Sequence, residues 1–187
     1  RDGVLKTPET LKALIEHLPE TMSLDELSAS NPRSFRECET AFPALIHERR
    51  YQPLKIRDRA MHHLDEAWRV KTAVQLLQTN APEETITQQL GELIQQTHAS
   101  LRDLYEVSTP QVERLIEILN ADPYVYGARL MGGGFGGNVL ALTTDEHMQT
   151  LVDRVQQEFY ALQNRDAASE GAVMISTAGD GLLEVNF

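Results

Sequence analysis

Met131-Gly132-Gly133-Gly134-Phe135-Gly136-Gly137-Asn138 lies between two short apolar runs, residues 124–130 and 138–143, and the fold turns on this stretch. Five glycines in six positions are costly, because glycine loses more backbone freedom on folding than any other residue. Such a run implies positive φ angles or the close approach of another group. Successive N–H groups in a loop of this kind form a concavity suited to anions. The competing reading is a plain hairpin turn, which rarely needs more than one or two glycines. The favoured expectation is a phosphate- or substrate-adjacent loop between two strands, made of Gly132, Gly133, Gly134, Phe135, Gly136 and Gly137.

Three phosphate motifs match parts of this loop and fail on context. Gly132, Gly134 and Gly137 fit the dinucleotide spacing, but an apolar strand-like run follows Gly137 where that motif needs a helix. The glycine-rich loop of protein kinases would need a lysine on the next strand, and no lysine follows Lys71. A P-loop would need Gly-Lys-Ser/Thr, which is missing.

Upstream, the pattern is helical. Thr7-Pro8-Glu9 starts a helix carrying Leu11, Leu14, Ile15 and Leu18. Ser23-Leu24-Asp25-Glu26 has capping-box spacing. Residues 28–53, broken by Pro32, Pro43 and Pro53, read as connector with a helical piece over 35–40. Three periodic stretches follow. Met61, Leu64, Trp68, Val74 and Leu77 share one helix face; Ile86, Leu90, Leu93, Thr97, Leu101 and Leu104 make a narrow seam; and Val112, Leu115, Ile116 and Leu119 follow the start signal Ser108-Thr109-Pro110. Downstream, Thr143-Thr144-Asp145-Glu146 opens a helix with Met148, Leu151, Val152, Val155, Phe159 and Leu162. Residues 172–177 and 182–187 read as two further strands joined by a turn with Asp180-Gly181. The expected class is α+β: a helical first two-thirds followed by a small antiparallel sheet.

The chain has 187 residues, enough for a self-sufficient core, and a net charge of −11. That charge argues against nucleic acid or anionic membrane as a partner. No apolar run approaches a membrane span, and the lone cysteine, Cys38, excludes an intrachain disulfide and suits a reducing, cytoplasmic setting. All four lysines lie within the first 71 residues, so a later phosphate contact must use arginine, backbone N–H groups or another chain.

Three stretches, in order, resemble the GHMP sugar and isoprenoid kinases, and the galactokinase branch most. Gly127-Ala128-Arg129-Leu130-Met131-Gly132-Gly133-Gly134-Phe135-Gly136-Gly137 is similar to that branch's GARMTGGGFGGC motif. His98-Ala99-Ser100-Leu101-Arg102-Asp103-Leu104-Tyr105-Glu106-Val107-Ser108-Thr109-Pro110 resembles its SHxSLRDxYEVSxPELD segment. Arg59-Ala60-Met61-His62, with Glu66 and Arg69-Val70, resembles its RAxHVxxExxRV helix. The resemblance implies the ferredoxin-like C-terminal domain of such a kinase, spanning residues 1–187, with 1–57 as connector and short helices and 58–187 as core. It implies that the whole protein phosphorylates the anomeric hydroxyl of galactose or a related aldose, with ATP and Mg²⁺. The ATP-binding N-terminal domain, with the nucleotide loop and the catalytic base, is expected outside this chain, and Arg1 as first residue fits a C-terminal half. No catalytic residue and no bound cofactor is then expected in this chain alone. Two positions depart from the branch pattern: Met131 stands where threonine is usual and Asn138 where cysteine is usual. They also suit a second reading, a non-catalytic binding or regulatory module on the same fold, and a third, a related kinase for another small substrate.

Arg129 enters the loop as either a positive charge for the site or a surface salt bridge, and Phe135 at the tip is favoured as an anchor fixing the loop. His62, His63, Asp65 and Glu66 are a poor metal set and suit interhelical hydrogen bonding. His98, Arg102, Asp103 and Glu106 have the spacings of an ion-pair ladder. Acidic neighbours on both sides make Cys38 a poor nucleophile.

Overall fold

Four helices begin on a proline: α1 (Pro8–Glu16), α3 (Pro32–Ala41), α4 (Pro43–Arg49) and α7 (Pro110–Asn120). Proline suits the first helical turn, where its missing N–H would have no intrahelical partner. Pro32 and Pro43 are therefore starts and not interruptions, and the connector expected over 28–53 is mostly helix. The computed structural model describes residues 7–166 and 171–177. The chain divides into two compact units.

The first unit holds the described residues up to Ile86 together with Gln96–Val107. α1 is capped by the Thr7 hydroxyl, and α2 (Leu24–Ser30) by the reciprocal Ser23–Glu26 box that the sequence predicts. The long helix α5 (Ile56–Leu77) packs against α1, and Arg57 donates two hydrogen bonds to the Leu18 carbonyl at 2.9 and 2.6 Å. His62 and Leu76 are its buried residues, whereas Val74 and Leu77 of the expected apolar face are exposed. The six-residue step from Trp68 to Val74 is not a helical repeat, so Val74 and Leu77 fall on a different side of the helix from Met61, Leu64 and Trp68.

The second unit holds Thr87–Gln95, the middle of helix α6 (Glu83–Asp103), and the described residues from Ser108 onward. Its core gathers Val112, Ile116, Ile118 and Leu119 of α7 with Ala128 and Leu130 of strand β1 (Val125–Met131). α7 packs on β1, and β1 pairs antiparallel with β2 (Asn138–Thr143). The register runs from Val125↔Thr143 to Met131↔Asn138, with one irregularity between Val125 and Gly127. A 3₁₀ turn (Asp145–His147) leads into α8 (Met148–Val155), a π-helical turn (Gln156–Tyr160) and a second 3₁₀ turn (Ala161–Gln163). The single helix expected there is thus broken into pieces.

The class is α+β as expected: mostly helical, with a small two-stranded antiparallel sheet. Residues 172–177, expected as a strand, are irregular and have no ladder partner among the described residues. A strand exists only through such a partner. The turn at 178–181 and the strand expected over 182–187 lie outside the described residues. Among the described residues no helix is long and apolar enough to cross a membrane.

Candidate functional site

Helix α6 and strand β1 meet main chain to main chain, which holds the strand that enters the loop. A Cβ on Gly91 would collide with the Tyr126 carbonyl, and one on Gly127 would collide with the Gly91 carbonyl. Only glycine at both positions permits the approach. Gln95, one turn further along α6, donates from Nε2 to the Tyr126 carbonyl at 2.9 Å. The expected seam of leucines on α6 is not the contact made here. Gly91 makes it, a residue that periodicity overlooks because it looks for bulk; the available signal was an isolated glycine inside a helical pattern.

From Gly127 β1 runs four residues further, Ala128 to Met131, to the loop. Met131 and Asn138 pair across its mouth, and the glycines between them form the turn. Gly132, Gly134, Gly136 and Gly137 have φ of +99°, +85°, +124° and +95°, and Phe135 has +58°. Positive φ, and not crowding, is what demands glycine: added Cβ atoms at Gly132, Gly133 and Gly136 would meet nothing within 4 Å, and one at Gly137 only the Met131 carbonyl at 3.4 Å. Gly133 is required by neither criterion. The loop is therefore uncrowded at Gly132, Gly133 and Gly136, with Gly132, Gly133 and Gly137 exposed and Gly134 and Gly136 half-buried.

Phe135 is 74% exposed, so it does not anchor the loop, contrary to expectation. Arg129 does not form the alternative surface salt bridge among the described residues; its Nε is buried there without an acceptor. Met131, Asn138 and Leu140 are exposed beside it.

The remaining singled-out residues lie in the first unit. His62 is buried and shares a 2.8 Å hydrogen bond with Ser100 of α6. Its ring stacks on Tyr105, over which Arg59 also lies. Burial holds its pKa below the ordinary imidazole value; Glu66 opposes this, while His63, Arg69 and Arg59 reinforce it. Arg102 pairs with its neighbour Asp103 at 2.7 Å, and α6 ends there. Glu106, at φ +59°, turns instead to Lys55 and to Arg59 at 2.7 Å. Their hydrogen bonds hold the Glu106 carboxylate below its usual pKa. Arg59 also donates to the Leu104 carbonyl, closing the end of α6. Cys38 is exposed on α3. Among the described residues no three His, Cys, Asp or Glu side chains gather as metal ligands.

Residues 84–161 match the GHMP kinases C-terminal family, a segment that holds nearly all of α6, then α7, the hairpin and its loop. The match covers less than half of the chain. The chain is 34% identical to a galactokinase of Clostridium perfringens over 128 residues, covering 68% of this chain and 30% of that protein. With a galactokinase of Thermotoga maritima it shares 37% over 128 residues, covering 63% and 35%. A crystal structure of Lactococcus lactis galactokinase complexed with galactose has the same fold, with a TM-score of 0.51 and 24% identity. That likeness covers 88% of this chain and 40% of the other. The chain thus spans less than half the length of these relatives. Within the matched segment, the Gly91–Gly127 contact holds the strand that leads into the glycine loop.

Proposed function

We propose that the chain is the C-terminal part of a galactokinase-like sugar kinase. The whole protein would transfer the γ-phosphate of ATP to the anomeric hydroxyl of galactose or a related aldose. The observation that carries this reading is the open glycine loop, set within a GHMP kinase C-terminal segment and bordered by strands on both sides. Phosphoryl transfer needs positioning and neutralisation of developing charge more than covalent help. A loop without side-chain bulk suits that need, since its N–H groups approach a ligand directly.

In this reading residues 1–187 are one C-terminal GHMP-kinase-type domain, and Gly132, Gly133, Gly134, Phe135, Gly136 and Gly137 line the cleft where sugar hydroxyl and γ-phosphate meet. Met131 and Asn138 flank the cleft and tune which sugar is accepted. The nucleotide loop and the catalytic base belong to an N-terminal domain outside this chain. The residues described here offer N–H donors and one guanidinium near the loop but no acidic cluster, so Mg²⁺ would be held by that domain and by the nucleotide's own phosphates. A cytoplasmic setting agrees with the single cysteine.

The test assays the natural gene product with ATP, Mg²⁺ and a panel of aldoses, beside residues 1–187 alone. Sugar-dependent ADP formation by the gene product and none by the 187 residues is expected. Phosphorylation by the 187 residues alone, or no phosphorylation of any aldose by the gene product, overturns the reading.

A further inference from the structure

Helix α5 changes character part-way along. Residues 56–69 hold six charged side chains, whereas from Val70 to Pro82 the only charge is Lys71. That charge-poor end is not inside. Val70, Val74 and Leu77 are 61%, 49% and 61% exposed, and His63 and Ala67 are exposed ahead of them. The five recur at steps of four and three, which sets them on one stripe within about 80° of arc on a helix of 3.6 residues per turn. Such steps make the seam by which one helix receives another. His62 and Leu76, the buried residues of α5, lie on a different side.

Two buried residues are thin support for a helix of 22, whose main neighbour is α1. Helices in proteins draw most of their stability from packing an apolar face and little from propensity. A face that meets water is ordinarily polar or charged. Here the exposed stripe is Ala67, Val70, Val74 and Leu77, with His63 at its end, so a further helix and not solvent is its natural neighbour.

The length of chain outside the structure says what covers it. The chain spans less than half the length of the galactokinases it matches, so on the kinase reading most of the natural gene product lies beyond these 187 residues. A second copy fits less well. Five residues fall far short of the roughly 20–30 a side that a stable interface between free proteins uses. A tethered segment meets its site at an effective concentration in the millimolar range, and a small apolar surface then suffices.

We propose that this stripe of α5 receives an amphipathic helix from the part of the natural chain outside residues 1–187, with apolar residues at matching steps of three and four. Lys71 flanks the stripe, 4.6 Å over the Trp68 ring, so an acid on that side of the incoming helix complements it; Glu66 on the other flank already has Arg69. The proposal rests on the kinase reading for the existence of that further chain, and on α5 alone for the surface.

Thiol labelling of the natural gene product, read site by site by peptide mass spectrometry, tests whether the stripe is covered. Val74→Cys should react at least tenfold more slowly than Gln75→Cys, an exposed position on the next side of the helix, and the two should react alike in urea. Equal rates in the folded protein overturn the proposal. So does protection of Val74→Cys that is lost on dilution, which would assign the stripe to a second copy. Irradiation of p-benzoylphenylalanine placed at Leu77 then identifies the occupant. A crosslink to a peptide outside residues 1–187, in a species of monomer mass, is expected. A crosslink within residues 1–187, one to another molecule, or none overturns the proposal. An active aldose kinase with Val74→Cys freely labelled would remove the seam and leave the kinase reading. A covered stripe on a gene product that phosphorylates no aldose would do the reverse.

Discussion

His62 stacks on Tyr105 with ring centroids 4.5 Å apart and planes 11° from parallel, while its Nδ1 meets the Ser100 hydroxyl at 2.8 Å. The imidazole is 4% exposed and joins α5 to the end of α6 in its uncharged form. Its pKa lies below 6.5, first because of burial. Above pH 6.5 both folded and unfolded chains carry it neutral, and its contribution to stability is complete. As pH falls below 6.5 the unfolded chain takes up a proton that the folded chain resists, so stability declines until the folded pKa is passed. The slope from this one group reaches at most about 1.4 kcal/mol per pH unit. His62→Gln should melt lower at pH 7.5 and should lose part of the wild-type slope between pH 6.5 and 5. Parallel melting curves for the two proteins across that range would count against the assignment.

The meeting of α6 and β1 leaves no room for a methyl group. Gly91→Ala and Gly127→Ala should each destabilise by about 1–3 kcal/mol, towards the upper end because main-chain atoms and not flexible side chains stand in the way. Urea midpoints at unchanged m-value would measure it. A midpoint within error of wild type for either variant would mean that helix and strand are not in contact.

Alanine substitutions around the loop should separate its glycines into two kinds. Gly132→Ala and Gly136→Ala force a side chain into φ of +99° and +124° and should cost about 1–2 kcal/mol each. Gly133→Ala and Phe135→Ala touch nothing buried and should stay within about 0.5 kcal/mol. Equal effects at Gly132 and Gly133 would contradict the loop geometry.

At the loop mouth, Met131→Thr combined with Asn138→Cys restores the residues usual in the galactokinase motif. In the natural gene product the double change should move the ratio of kcat/KM for galactose over other aldoses by about fivefold to tenfold, the worth of one hydrogen bond. Appearance of activity where the unaltered protein has none would instead mark the two residues as the cause of lost catalysis. An unchanged ratio would remove them from the sugar site.

Much of this was legible in the sequence, for reasons that differ by element. The Ser23–Glu26 box, the Thr7 cap and the start at Pro110 are local signals, satisfied within one helical turn, and the structure repeats them. The glycine loop was legible because positive φ leaves glycine as nearly the only occupant. Pro32 and Pro43 were misjudged because proline breaks a helix that precedes it and starts one that follows, and only the later residues decide which. The outward Phe135 and the turn of Glu106 towards Lys55 and Arg59 were not legible. Both depend on a backbone inversion at a non-glycine residue, which no periodicity announces. Gly91 was overlooked for a related reason: its role is the absence of a side chain, and it takes effect only against a strand 35 residues away.

The loop has one further consequence, which concerns handedness. Its glycines at +85° to +124° occupy the mirror image of ordinary territory for an L-amino acid. A D-alanine at Gly136, introduced by chemical ligation, would meet φ of +124° without the strain an L-alanine suffers there, and would reduce the freedom of the unfolded chain by an amount worth about 0.4–1 kcal/mol. The ribosome has no such residue to offer. At these four positions an L-side chain is strained, so variation in the hairpin's chemistry is left to its L-configured borders, Arg129, Met131 and Asn138.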